Sequence, residues 1–108
     1  MAIILETIKQ ELLKWPGVTV EPHRFGGIGF RCNKRELGHI HGDRLADLPF
    51  PMNIRNELVN SGRVSPHHIY PKSGWVSYWI KGADDVPAII GLFQLQYLRL
   101  KSKERKQL

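Results

Sequence analysis

A single cysteine, Cys32, stands among 108 residues. It can form no internal disulfide and no thiolate cage for zinc, so stability has to come from packing, and thiol redox chemistry is not expected. A lone cysteine in an apolar strand reads as a buried packing residue rather than a nucleophile. Long apolar runs are missing as well: nothing approaches the ~18 residues that a membrane span needs. The apolar patch from Ala2 to Leu5 is cut by Glu6, so no secretory signal is expected and a cytoplasmic location is. Repeats and low-complexity segments are absent. Gly26-Gly27-Ile28-Gly29 lacks a strand-to-helix setting, which makes it a flexible stretch and not a phosphate cradle. With 42 % hydrophobic and 24 % charged residues, the composition excludes disordered and collagen-like classes. The length is that of one domain, for which about 100–150 residues is typical.

Carboxylates are the scarcer charge. Ten Asp and Glu face sixteen Lys and Arg, for a formal net charge of +6. Most of the excess is terminal: Arg99, Lys101, Lys103, Arg105 and Lys106 stand against Glu104 alone. Residues 1–100 therefore read as the domain and 101–108 as a basic C-terminal tail. Cations at a helix end are favoured by the helix dipole at roughly 0.3–1 kcal/mol each, and a solvated terminus accounts for them. Binding to nucleic acid or another acidic partner is the other reading, and salt would weaken it steeply.

Ile4, Ile8 and Leu12 recur at spacing four with Leu5 and Trp15 alongside, and Pro16-Gly17 stops the pattern, which predicts a helix over 3–15. Val18 and Val20 alternate with Thr19 and Glu21, and Ile28 to Cys32 gives a second strand of a hairpin. Asn33-Lys34 turns the chain into a third strand, Arg35 to His41, which reverses at Gly42-Asp43 into a fourth, Arg44 to Leu48. Pro49-Phe50-Pro51 breaks that strand, and a helix with Ile54 and Leu58 on its inner face runs to Ser61-Gly62. A further strand passes through Val64, Pro66 to Pro71 is an extended loop, and Trp75 to Ile80, the richest β-former run, is a central strand. Asp84 or Asp85 caps a last helix carrying Val86, Ile89, Ile90, Phe93 and Tyr97. Helices first, middle and last around hairpins predict an α+β fold: an antiparallel sheet with helices mainly on one face. The other face is left for a ligand or for a second copy in a homodimer.

Four of the five histidines fall in two groups, His39/His41 and His67/His68. The strand period of two puts His39 and His41 on one face, with Arg35 and Leu37 in line and Glu36 opposite, and their Cα atoms about 6.6 Å apart. Their rings can converge on one ion or one substrate group. A divalent metal at His39 and His41 would need a third ligand from His67, His68, Asp43 or Asp47. Hydrogen-bonded histidines in a polar cluster are a second reading, and a metal-free site with an imidazole base, of unperturbed pKa near ~6.5, is a third. In an extended segment the His67 and His68 rings diverge, so one of them faces the sheet. Asp47 and Arg55 flank the proline break and are placed to pair, either orienting the loop or as a plain surface bridge. Trp75, Tyr78 and Trp79 would stack an aromatic ligand or fill the core.

The string Arg35-Glu36-Leu37-Gly38-His39-Ile40-His41, followed by Asp47-Leu48-Pro49-Phe50-Pro51, Gly62-Arg63-Val64-Ser65-Pro66-His67-His68 and Ser73-Gly74-Trp75-Val76-Ser77, resembles the luciferase-like domain family. That family comprises small bacterial proteins and the domain of fungal luciferases, and the likeness runs from about His23 to Arg99. Its Glu-x-x-His-x-His element falls on Glu36, His39 and His41, its later histidine element on His67 or His68, and its aromatic position on Trp75. Fungal luciferases oxidise a hydroxylated pyrone with molecular oxygen, so the resemblance implies an oxygen-dependent oxidoreductase acting on a small molecule, with no cofactor motif.

Two functional expectations follow. In the first, the open sheet face holds a planar enolic or phenolic compound. His39 or His41 is the base, His67 or His68 polarises the oxygenated species, Glu36 fixes an imidazole tautomer, and Trp75, Arg55, Asp47 and Tyr78 contact the substrate. No cofactor is required, although a divalent metal is geometrically allowed. In the second, the chain is a non-catalytic basic adaptor that binds nucleic acid or a protein through its C-terminal helix and tail.

Overall fold

The computed structural model describes residues 3–106. Helix α1 (Ile3–Leu12) is followed by β1 (Val18–Pro22), a short 3-10 turn at Arg24–Gly26, β2 (Ile28–Cys32), β3 (Arg35–His41), β4 (Leu45–Pro49), α2 (Met52–Asn60), β5 (Ser65–Pro66), β6 (Trp75–Trp79), a second 3-10 turn at Ala83–Asp85 and α3 (Val86–Lys106). The strands form one six-stranded sheet in the order β1-β2-β3-β4-β6-β5, and every pairing is antiparallel. The radius of gyration, 13.2 Å, is that of a single compact unit of this length.

The helices share one core. Leu5, Ile8 and Leu12 of α1, Leu58 of α2, and Ile89, Leu92, Phe93 and Leu100 of α3 are buried with Phe30, Cys32, Leu37, Ile40, Ala46, Leu48 and Val76 of the sheet. Phe30 meets Phe93 edge-on, with ring centroids 5.4 Å apart, the arrangement that aromatic quadrupoles favour. The α+β architecture with helices on one face is therefore the observed one. α1 ends at Leu12, three residues before the expected stop, and the chain continues in tight turns to Trp15 (Lys14 N to Glu11 O 3.2 Å, Trp15 N to Leu12 O 3.1 Å). Pro16 bears on this, because it has no N–H to give the Leu12 carbonyl and disfavours helical geometry at Trp15. Neither expected aspartate is seen to cap α3: Asp85 reaches backwards instead, its Oδ2 accepting the backbone N–H of Lys81 at 2.7 Å and of Gly82 at 3.3 Å, and so closes the 3-10 turn ahead of the helix. The expected basic tail is helical through Lys106, and residues 107–108 lie outside the described residues. Among the described residues, no helix is long and apolar enough to cross a membrane.

Strand β6 lies between β4 and the two-residue β5, so its inner residues Val76 and Ser77 are fully buried. Val64, expected to lie in the preceding strand, is buried just ahead of it.

One irregularity positions the functional face. Phe30 pairs with Gly38 and Arg31 with Glu36, leaving Leu37 as an extra residue in β3. Such a bulge shifts the alternation by one. Leu37 turns into the core, where it is fully buried, and Glu36 comes round to the face that carries His39. The strict alternation read from the sequence had placed Arg35 and Leu37 beside His39 and Glu36 opposite, and the bulge corrects it. Arg35 stands on the helix side, near enough to Arg99 for their charges to interact. Gly38 makes the bulge affordable to the packing around it. Its φ is +155°, and a Cβ there would lie 2.6 Å from the Asp47 carbonyl oxygen, 2.9 Å from Leu48 Cγ and 3.1 Å from Phe93 Cε1.

Gly38→Ala should therefore destabilise the fold by about 2–4 kcal/mol, combining backbone strain with an overpacked β3–β4 contact. The check is the urea unfolding midpoint, and a midpoint within error of the parent would remove the bulge from this role.

Candidate active site: a histidine-lined cleft around Asp47

On the sheet face away from the helices, cross-strand neighbours place His39 beside Asp47 and Asp47 beside Ser77, and one row over His41 beside Leu45 and Leu45 beside Trp79. Alternation along each strand then presents His39 and His41 from β3, Leu45 and Asp47 from β4, and Trp75 and Ser77 from β6 to the same side. A cleft of about 460 Å³ opens there. The loop after β5 closes one flank with His67, His68, Ile69 and Tyr70, and His23, Arg24 and Arg44 form the other. All five histidines of the chain line it.

Asp47 is the centre. It is 1 % exposed. Its Oδ1 accepts the Ser77 hydroxyl at 2.7 Å, while Oδ2 lies 3.3 Å from His39 Nε2 and 3.6 Å from His67 Nε2. Burial alone would raise the carboxyl, but the contacts with His39 and Ser77 outweigh it and hold Asp47 below the usual carboxylate range. Asp47 is thus an ionised acceptor with almost no solvent contact of its own.

The hydrogen-bond pattern around it fixes which nitrogens carry protons. His67 Nδ1 accepts the backbone N–H of Ile69 and of Tyr70, each at 3.1 Å. A nitrogen that accepts cannot also carry hydrogen, so the proton of neutral His67 is on Nε2, facing Asp47. Burial keeps His67 neutral, pushing its pKa below the ordinary value. Ser77 has one hydroxyl hydrogen and gives it to Asp47. Its 3.2 Å contact with His68 Nδ1 is then a bond donated by His68, the tautomer whose neutral ring has its lone pair on Nε2. His39 turns Nε2 to Asp47, and its Nδ1 is buried without a hydrogen-bond partner, 3.5 Å from Glu36 Oε2.

The rings themselves pack. His23 stacks on His39 with centroids 3.9 Å apart and planes 19° from parallel, and His41 meets His39 edge-on at 5.1 Å and 80°. His67 and His68 stack at 4.4 Å, because the chain turns back on the His67 ring after His68 instead of staying extended. Both of them line the cleft, where divergence had been expected. Trp75 covers His39 at 5.2 Å and His67 at 5.9 Å. His41 is held neutral by burial and by the neighbouring His39, with Arg44 adding to the effect. His23 is likewise lowered by burial and by His39, with Arg24 contributing.

Two groups have donor atoms close enough to share an ion: His23, His39 and His41, and Asp47, His67 and His68. Their chemistry differs. His67 would have to ligate through the nitrogen that carries its proton, since the other accepts two backbone N–H groups, so the second group is poorly suited. In the first, the His23 and His39 rings are stacked with planes 19° from parallel, a poor arrangement for two in-plane lone pairs to meet on one ion. The His39–Asp47 contact is, however, the carboxylate support that metal-bound histidines often carry.

Arg55 and Tyr78, expected at the substrate, do not line the cleft. Arg55 on α2 donates to the Pro71 carbonyl at 2.6 Å and to Asn56 Oδ1 at 2.8 Å. It pins the loop that carries His67 and His68, and the expected pair with Asp47 does not form because Asp47 points to the other face. Tyr78 pairs with Ala46 on the helix side, and its hydroxyl donates to Asp85 Oδ1 at 2.7 Å. Burial and that hydrogen bond push the phenol up to about 12. Sequence reasoning missed His23 and Ser77. The signal for Ser77 was its alternation with Trp75; for His23 it was the hairpin register, which sets Pro22 across from Ile28 and Ile28 across from Ile40.

A family model described as Luciferase domain matches residues 34–96, a span that holds every cleft residue except His23 and Arg24. Comparison with curated proteins and with solved structures gives no significant match.

Because His23, His41 and His67 all titrate below the ordinary 6.5 in the folded protein, the unfolded chain takes up their protons first as pH falls. Stability should be full above about pH 6.5 and decline as pH drops through that value towards the folded values. Asp47, depressed from 3.8, adds a further loss as pH falls below its unfolded value. The thermal midpoint measured against pH checks this. His67→Asn, which keeps an acceptor for the two backbone N–H groups but cannot be protonated, should flatten the slope around pH 6, and an unchanged slope would contradict the assignment.

Proposed function

The chain belongs to the luciferase domain family, and on that premise we propose that its cleft binds a planar enolic or phenolic molecule, takes the acidic proton onto a neutral histidine, and leaves the electron-rich anion to react with molecular oxygen. The observation that carries this reading is the gathering of five histidines and one buried carboxylate around a single cleft with apolar walls. Leu45, Ile69, Tyr70 and Trp75 offer flat and aliphatic surface for a ring, and the cleft's volume lies within the usual range for small-molecule sites.

His41 is the base in this reading. Its ring is half-buried, is kept neutral by burial and by His39, and makes no hydrogen bond among the described residues, so one nitrogen is free to accept a proton. His39 is a positioning residue, since its Nε2 is turned to Asp47 and its Nδ1 is shut off from solvent. His68 presents its Nε2 to the ligand from the opposite flank, and Trp75 limits water. A substrate that becomes an electron-rich anion needs no flavin or haem to meet oxygen, and the base needs no metal ion beside it.

The test uses para-nitrophenol near pH ~6, where the free phenol is mostly protonated while a neutral imidazole still accepts. The parent protein should increase the phenolate band on binding, and dialysis against EDTA should leave that increase unchanged. His41→Gln should bind without the increase and, with an oxidisable substrate, lose about 10²-fold or more in oxygen uptake. Absence of the phenolate band with the parent protein would overturn the base assignment, and loss of the band after EDTA would replace it with a metal-assisted one.

A further inference from the structure

Arg24 and Arg44 reach the same rim of the cleft from separate turns. Arg24 opens the 3-10 turn between β1 and β2, and Arg44 closes the turn between β3 and β4. The register that sets Ile28 across from Ile40 and His41 across from Leu45 brings these turns to one end of the sheet. Both arginines are exposed, both line the cleft, and neither guanidinium has a hydrogen bond or ion pair with another of the described residues. Elsewhere on this face, by contrast, Arg31 is paired with Glu21 at 2.6 Å. Among the described residues that line the cleft, the only carboxylate is Asp47, 1 % exposed and occupied by Ser77, His39 and His67.

The cleft therefore holds two permanent cations at its mouth and no negative charge that a ligand could reach. We propose that its ligand carries a carboxylate at the end opposite its enol or phenol, and that Arg24 and Arg44 hold that carboxylate. This rests on the reading of the cleft as an enol or phenol site and adds the charge and the polarity of the molecule. A guanidinium matches a carboxylate in plane and can offer two N–H donors at once. An ionised ligand group there also meets two cations that an uncharged ligand would leave without a counter-charge. The ring then lies along Leu45 and Trp75, and the hydroxyl reaches the histidines.

A hydroxynaphthoate and the matching hydroxynaphthamide separate the two claims, because they share the phenol and the shape and differ in charge. Fluorescence titration of the full-length protein should give about tenfold tighter binding of the acid, a gap that shrinks as salt is raised. The double substitution Arg24→Gln/Arg44→Gln should close the gap to under about twofold by weakening the acid alone. Unchanged affinity for the amide doubles as the check that the variant is folded. Equal binding of acid and amide to the parent protein would overturn the carboxylate proposal and leave the phenol site standing. Failure of both to bind would overturn the two together.

Discussion

A buried carboxylate that stays ionised constrains everything around it. Asp47 sits in the fourth strand with almost no solvent contact, where an unpaired charge would cost several kcal/mol. The structure answers with polar partners from three elements: Ser77 donates from the neighbouring strand, while His39 from the strand on the other side and His67 from a loop distant in sequence bring ring nitrogens to 3.3 and 3.6 Å. Each of these groups is then fixed in turn. Ser77 must accept from His68, and His67 must keep its proton on the nitrogen facing Asp47. One charge thus sets the orientation of a polar cluster whose members are scattered along the chain.

The same strand junction joins site and core. Asp47 turns its side chain to the cleft, and its carbonyl oxygen stands against Gly38, at the bulge that brings Glu36 round to His39. Leu48 and Phe93 close the same spot from the helix side. Packing behind the sheet and histidine placement in front of it are therefore set at one point, and the site rests on paired strands rather than on loops alone. The exception is the segment carrying His67 and His68, which is held by two backbone N–H groups on the His67 ring and by Arg55 on the Pro71 carbonyl.

Periodicity carried much of this arrangement. The helical spacing of Ile4, Ile8 and Leu12 and the β-rich run at Trp75 lie where they were expected, the proline break comes one residue late because Pro49 still pairs with Trp75, and the alternation of His39 and His41 put both on the cleft. What periodicity could not carry is its own interruption: Glu36 changes face because of one extra residue, and Gly38 is the lone trace of it in the sequence. The pairing of Asp47 with Arg55 failed because nearness along the chain says nothing about which side of a sheet a residue faces. Tyr78 failed through the same alternation that placed Trp75 correctly. His23 went unread because its place depends on two successive strand registers, which no local pattern encodes.

Histidine tautomers report most directly on whether Asp47 organises the cluster. Long-range proton–nitrogen correlation spectra of the uniformly nitrogen-15-labelled protein at neutral pH should show His67 as neutral, protonated on Nε2 and bare on Nδ1. Finding His67 protonated on Nδ1, or on both nitrogens, would mean that the two backbone N–H groups do not reach it, and that the carboxylate does not hold the cluster together.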